Sequence, residues 1–182
     1  MNDCMSKILR VLKYTFRGLL ILIIGGLIIY NVYNIISRTV FGISMPKLFG
    51  FAFATVASGS MADEIDTGDF IVIKEQSEYL LGDVITFYDS ESRTYITHRI
   101  ILVSGGNYAT KGDANDAPDN FTVSESAIVG KVVAVWRGGG KTVDFLQSPL
   151  GLFCIAAAGI LMWLIPEIVT EVIQKLKNGK KT

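Results

Sequence analysis

The chain has 182 residues, of which half are hydrophobic and 19% are charged, with 17 basic and 17 acidic residues. This length is enough for about one domain. The hydrophobic residues are concentrated in two long stretches, which is typical of membrane proteins, and the absence of a basic excess argues against a nucleic-acid-binding protein.

The first hydrophobic stretch, residues 18–37, contains no charge and lies between Arg17 and Arg38. As a helix rising ~1.5 Å per residue, it is long enough for the ~30 Å hydrocarbon layer. Its basic leader, residues 1–17, would also fit a secretory signal. The run is longer than a signal core, however, and no small-residue cleavage site follows it directly. We therefore predict a cytoplasmic leader and an uncleaved transmembrane helix over residues 18–37.

The second uncharged stretch covers residues 145–166. Pro149 after Ser148 favours a helix start, and Pro166 is expected to end or kink the helix. We predict a transmembrane helix over residues 145–168 and a cytoplasmic basic tail over residues 169–182. Lysine and arginine outnumber acidic residues in the leader and in the tail, so the positive-inside rule places both termini in the cytoplasm.

The segment between the two stretches, residues 38–144, is then an extracytoplasmic domain. From residue 39 it carries eight basic and fourteen acidic residues, a net charge of −6, which further argues against nucleic-acid binding. Cys4 falls on the cytoplasmic side and Cys154 inside the second stretch, so no disulfide is expected. One histidine without a usable cysteine pair makes a zinc site unexpected, and no metal or cofactor is predicted.

The extracytoplasmic segment has the pattern of a β domain. Short runs rich in β-branched and aromatic residues alternate with turn formers such as Thr67-Gly68 and Leu81-Gly82. These runs are residues 69–73, 83–88, 94–103, 108–111 and 127–136. We predict a mainly β fold, a small antiparallel sheet or partly closed barrel flanked by the N- and C-terminal transmembrane helices.

The candidate chemical groups lie within this β domain. Ser60 follows Gly59 and an apolar run, residues 48–57, and a serine nucleophile needs a base. His98 is the only histidine, although a strand histidine that merely satisfies its own hydrogen bonds is the alternative interpretation. The acidic segment 111–119 offers carboxylates to orient it, although such a composition also fits a solvated turn.

Six short motifs occur in an order that resembles the type I signal peptidases, over about residues 50–136. They are Ser58-Gly59-Ser60-Met61, Thr67-Gly68-Asp69, Gly82-Asp83-Val84-Ile85, Thr97-His98-Arg99, Lys111-Gly112-Asp113 and Ile128-Val129-Gly130-Lys131-Val132. Most bacterial members have lysine where this chain has His98. Histidine is typical of the branch found in the endoplasmic reticulum, in archaea and in some Gram-positive and spore-forming bacteria.

This resemblance implies a signal-peptidase/LexA-like β domain and a Ser/His/Asp mechanism. Ser60 would attack the scissile carbonyl, and His98 would take its proton and later deliver it to the leaving amine. An aspartate six residues after the Gly-Asp aspartate belongs to this branch, so Asp119 would orient His98, with Asp113 as a supporting catalytic residue. The sequence alone leaves open whether Asp113 or Asp119 orients the base.

The resemblance also assigns Ser58 and Met61 to the oxyanion and substrate-binding region. Two positions depart from the usual pattern. Met61 is followed by Ala62-Asp63 where the family has x-Pro, and Gly-Asp-Asn-Asn is replaced by Gly112-Asp113-Ala114-Asn115. Losing the proline is expected to loosen a turn beside the nucleophile without removing a reacting group.

The implied partners are secretory preproteins and the lipid bilayer, with the secretion translocon as an open candidate. The implied substrate is a signal peptide, docked as an extended strand and cut after small residues at −1 and −3. The expected location is the plasma membrane, with the endoplasmic reticulum as the alternative. An inactive membrane-anchored scaffold and an envelope protein without catalysis are the competing functions, and the particular preproteins and any accessory subunits stay open.

Overall fold

The computed structural model describes residues 2–179. The chain divides into two compact units, Ser37–Asp144 and the segments on either side of it. The α-helices are α1 (Asn2–Thr39), α2 (Gly140–Gln147) and α3 (Pro149–Gly179), and a short 3-10 helix covers Glu125–Ala127.

In α1, the part Lys13–Thr39 is long and apolar enough to cross a membrane. A second stretch that is long and apolar enough is obtained only when α2 and the first part of α3 are counted together, although a sharp bend separates them. Length and composition alone support these spans. The predicted N-terminal apolar helix is confirmed, whereas a C-terminal transmembrane helix stays a prediction.

The helix α3 begins at Pro149, where the sequence indicates a start. The Ser148 hydroxyl accepts a hydrogen bond from the Gly151 amide at 3.0 Å and caps the first turn. Pro166 does not end the helix, which continues to Gly179. A proline removes only one backbone donor, and the surrounding turns keep their own hydrogen bonds.

A buried arginine joins α1 and α3 within their unit. Arg17 is 6% exposed and donates to Glu167 Oε1 at 2.8 Å and to the Trp163 carbonyl at 2.6 Å. Its guanidinium also lies 4.5 Å from the centre of the Trp163 ring. These contacts compensate the desolvation of the charge, which would otherwise be costly.

The other unit is a seven-stranded sheet in which all neighbouring strands are antiparallel. The strands are β1 (Phe51–Thr55), β2 (Phe70–Lys74), β3 (Val84–Asp89), β4 (Thr94–Ser104), β5 (Asn107–Lys111), β6 (Thr122–Ser124) and β7 (Ile128–Trp136), in the order β1-β2-β7-β3-β4-β5-β6. The predicted mainly β, antiparallel domain is confirmed. Because β1 and β6 end the order, a partly closed barrel stays a prediction.

The sheet has two buried apolar clusters. One contains Ala52, Met61, Ile65, Ile71, Ile73, Val84 and Val129, and the other contains Tyr79, Ile85, Phe87, Ile100, Tyr108, Val123 and Ile128. Successive side chains of a strand point to opposite faces of the sheet, and side chains two residues apart share a face. His98 and Ile100 of β4 therefore lie on the same face. His98 pairs with Ile85 in register and its ring packs edge-on against Phe87, with ring centres 6.5 Å apart. The histidine is therefore held by the second cluster.

The Thr67-Gly68-Asp69 motif has a structural role in this unit. Asp69 is 3% exposed and accepts hydrogen bonds from the amides of Asp66 at 2.9 Å and Gly138 at 2.7 Å. These two backbone hydrogen bonds hold the pKa of the Asp69 carboxyl below its usual range. The turn before β2 is thus tied to the glycine turn after β7.

Replacing Asp69 by asparagine is expected to lower the free energy of unfolding by about 2 kcal/mol at pH 7, because hydrogen bonds to a buried charge are lost. Since the folded pKa is lowered, this stabilisation is complete above about pH 5, decreases below the unfolded pKa of about 3.9 and is lost as the pH falls through the folded value. The difference from wild type should therefore shrink in acid. Denaturation of the full chain in detergent at pH 7 and pH 3 tests this, with the exposed Glu78→Gln as control. An equal difference at both pH values would contradict it.

Candidate active site

Ser60 lies in a tight turn that follows β1. The Ala62 amide donates to the Gly59 carbonyl at 3.0 Å, and the hydroxyls of Ser58 and Ser60 lie 3.4 Å apart. Gly59 has open space around its α-carbon apart from Thr67 Oγ1, which would lie 3.8 Å from an added Cβ. Ser60 is half-buried in this turn and lines a cleft.

The acidic loop after β5 contacts the backbone of this serine. The Ala114 amide donates to the Ser60 carbonyl at 2.9 Å. A Cβ added at Gly112 would lie 2.6 Å from the Ser60 carbonyl oxygen and 2.7 Å from Asn115 Nδ2, closer than real contacts allow. Only glycine at residue 112 permits this close approach, which couples the position of the loop to that of Ser60.

His98 and Asp119 form a buried pair. His98 Nδ1 lies 2.7 Å from Asp119 Oδ2, and the two side chains are 8% and 10% exposed. The Thr110 hydroxyl donates to the same carboxylate oxygen at 2.6 Å. Since Nδ1 faces the carboxylate, Nε2 is the ring nitrogen left for a proton transfer.

Asp113 has a different partner. Its carboxylate accepts from Arg99 Nε at 2.9 Å and from Arg99 Nη2 at 2.6 Å, and Arg99 also contacts Glu64. The hydrogen bond from Arg99 lowers the pKa of Asp113, and the same contact raises the pKa of Arg99. In addition, the Asp113 amide lies 3.4 Å from Met61 Sδ. The structure therefore separates the two aspartates, with Asp119 at the histidine and Asp113 in an ion pair.

Ser60 and His98 line the same cleft, which has a volume of about 380 Å³. Its lining residues are Val56, Ala57, Ser58, Ser60, Met61, Thr94, Tyr95, Ile96, Thr97, His98 and Asn115. A second cavity of about 420 Å³, in the helical unit, is lined almost entirely by apolar side chains such as Leu20, Ile24 and Trp163. It offers neither a nucleophile nor a base, whereas the cleft at Ser60 holds both, and this cleft is therefore the candidate active site.

Asp63, which stands where the resemblance implies a proline, has a backbone conformation of its own. Asp63 has φ of 78°, in the left-handed region. Proline, whose φ is fixed near −65°, cannot occupy this conformation. The turn is closed by hydrogen bonds instead, including one of 2.8 Å from the Ile65 amide to the Met61 carbonyl.

Of the residues predicted from the sequence, Ser58, Ser60, Met61 and His98 line the cleft, and Asp119 lies behind the histidine. Met61 contributes mainly to the core, since it is only 2% exposed. The sequence interpretation missed Thr110 as a partner of Asp119 and Arg99 as the partner of Asp113. Thr110 could have been suggested by its strand, because a polar residue on a buried face needs a polar partner. Arg99 gives no such signal, since its side chain is 28% exposed.

The sequence is 38% identical over 118 residues to signal peptidase I W of Bacillus subtilis (strain 168). Over this part of its sequence, the chain is similar to a signal peptidase I. The resemblance carried by the six motifs is thereby confirmed. The match covers 61% of this chain, and the chain spans about three fifths of the length of this signal peptidase. No protein-family model matches the sequence.

Proposed function

We propose that the chain is a membrane-bound signal peptidase, a serine endopeptidase that cleaves N-terminal signal peptides from secreted preproteins after small residues at −1 and −3. The observation that carries the proposal is the shared cleft. Ser60 and His98 both line it, and Asp119 holds His98 Nδ1 at 2.7 Å. A nucleophile, a base and a group that orients the base are the parts that serine hydrolysis requires.

In the proposed reaction, His98 Nε2 takes the proton of the Ser60 hydroxyl while Oγ bonds to the scissile carbonyl carbon. The tetrahedral intermediate then expels the amine of the mature protein, which receives that proton from His98. Water, activated by the neutral imidazole, hydrolyses the acyl-enzyme and frees Ser60. Asp119 stabilises the imidazolium in both halves of the reaction and keeps Nδ1 protonated.

Ser58 is proposed to assist the oxyanion, since its hydroxyl lies 3.4 Å from that of Ser60. The substrate is proposed to extend along the segment that follows β1, where Val56 and Ala57 line the cleft. β1 is an edge strand, with β2 as its only neighbour in the strand order, so an extended peptide can add to it. Asp113 is proposed as a supporting residue that fixes the loop through Arg99 rather than as a reacting group.

The proposed location is the plasma membrane, with both termini cytoplasmic and the β domain on the outer side. The apolar part of α1 supports one anchor, and the basic ends of the sequence support the orientation. The second anchor, the secretory preproteins as substrates and any contact with the translocon belong to the same proposal. A signal peptide is cut where it leaves the bilayer, and a tethered domain acts at that place.

Purified full-length chain in detergent is expected to cleave a preprotein whose signal ends in alanine at −1 and −3, giving one new N-terminus at the following residue. Replacing the −1 alanine by tryptophan should slow cleavage at least tenfold, because a shallow pocket excludes the large ring. Gel analysis and N-terminal sequencing measure both results. A parallel preparation lacking the chain controls for host peptidases. No cleavage would favour the inactive scaffold, and equal cleavage of both substrates would contradict the proposed preference for a small residue at −1.

A further inference from the structure

Thr110 is a fully buried polar residue whose position the proposed reaction leaves unexplained. Its exposed fraction is 0%, and it stands opposite Ile100 in the register of β4 and β5. Paired residues on antiparallel strands face the same side, and His98 shares that side with Ile100. The Thr110 side chain is thus on the face of the sheet that carries His98.

A hydroxyl on this apolar face requires a hydrogen-bond partner, because burial without one is costly. The partner is Asp119 Oδ2, which accepts from the Thr110 hydroxyl at 2.6 Å and lies 2.7 Å from His98 Nδ1. The Thr110 carbonyl also accepts from the Asp119 amide at 2.9 Å. One residue of a regular strand therefore holds both the backbone and the side chain of the aspartate.

Asp119 needs such support because it lies outside the helices and strands, in the loop between β5 and β6. The torsion that turns an aspartate carboxylate has a broad energy profile, so a single hydrogen bond to His98 leaves its orientation poorly defined. Thr110 and His98 are the hydrogen-bond partners of the Asp119 side chain within the described part of the chain.

We propose that Thr110 is a positioning residue, whose hydroxyl fixes the Asp119 carboxylate so that Oδ2 faces His98 Nδ1. Its effect on catalysis rests on the proposed peptidase function. The geometric part, a fixed His98–Asp119 hydrogen bond, does not depend on the activity and can be measured separately.

Two matched pairs of variants isolate the effect of the Thr110 hydroxyl. Thr110→Val removes it while keeping the branched shape and the backbone carbonyl, whereas Thr110→Ser keeps it and removes the methyl group. Thr110→Ala, compared with Thr110→Ser, repeats the same loss in a smaller side chain. If Thr110→Val fails to fold, the serine and alanine variants decide the question in the same way.

The first measurement is proton NMR of the full chain, labelled with ¹⁵N-histidine, in detergent. Because His98 is the only histidine, its Nδ1 proton gives one signal. A protected, downfield Nδ1 proton is expected for wild type and Thr110→Ser. In Thr110→Val this signal should be lost through exchange with water, as in Asp119→Asn. An unchanged signal in Thr110→Val would overturn the proposal, whether or not the chain cleaves preproteins.

The second measurement is preprotein cleavage. Thr110→Val should lower kcat by about 10- to 100-fold with little change in KM, a loss typical of residues that orient a reacting group. Thr110→Ser should follow wild type. Equal losses in Thr110→Ser and Thr110→Val would indicate a packing role and contradict the proposal. Absence of cleavage by wild type would count against the proposed function, and the NMR result would still stand.

Discussion

Replacing either Ser60 or His98 by alanine is expected to lower kcat/KM for preprotein cleavage by about 10⁴-fold or more. The double variant should be no slower than the slower single variant. The non-additivity follows because the nucleophile and the base act as one unit. Without the base the hydroxyl is a weak nucleophile, and without the hydroxyl the base has no proton to take. Both side chains line the same cleft, as this coupling requires.

Single-turnover cleavage by the two single variants and the double variant measures this coupling. The exposed serine variant Ser77→Ala is the matched control and should cleave as wild type does. Full cleavage by His98→Ala would refute the mechanism. If Lys111→Ala were then inactive, a serine–lysine pair would replace it.

Asp119→Asn is expected to reduce kcat by about 10⁴-fold, whereas Asp113→Asn should stay within about fivefold of wild type. An asparagine at residue 119 can present its NH₂ group to His98, which favours the wrong tautomer and leaves the imidazolium unstabilised. Asp113 instead bonds Arg99 at 2.6 Å. Loss of the Asp113–Arg99 ion pair should mainly lower the free energy of unfolding, by about 1 kcal/mol, because the pair is partly exposed.

Rates of cleavage together with unfolding curves separate the two roles. The exposed Asp116→Asn, in the same loop, controls for a general effect of removing negative charge. If Asp113→Asn were inactive and Asp119→Asn active, the orienting role would belong to Asp113. That result would also mean that the Arg99 ion pair, which lowers the pKa of Asp113, breaks during the reaction.

The sequence predicted five of the seven strands well because β-branched runs bounded by turn residues define their own limits, whereas β1 and β6 were not among the predicted runs. The predicted run 94–103, for example, differs from β4 by one residue. His98 could be assigned to a strand. Because Ile96 and Ile100 lie two residues before and after it, the pattern indicates that His98 shares a buried face with them. The sheet order could not be predicted in this way, since β7 pairs with both β2 and β3 through long-range contacts.

The loop carboxylates show where sequence interpretation reached its limit. Nothing in the composition of residues 111–119 distinguishes Asp113 from Asp119, because irregular loops have no periodicity that fixes side-chain direction. The distinction comes from partners distant in sequence, Arg99 for one and His98 with Thr110 for the other. Pro166 does not end α3, because a local preference is overridden within a long helix, and a kink at this residue stays a prediction.

The loop that carries Asp119 is fastened at two points, by Ala114 to the Ser60 carbonyl and by Asp119 to the Thr110 carbonyl, each at 2.9 Å. The residues between these points act as a spacer of fixed length. Their side chains are mostly exposed, so substitutions there should change few contacts. An insertion or deletion, in contrast, would move the Asp119 carboxylate relative to Ser60. Residues 115–118 should therefore tolerate substitutions far better than changes in length.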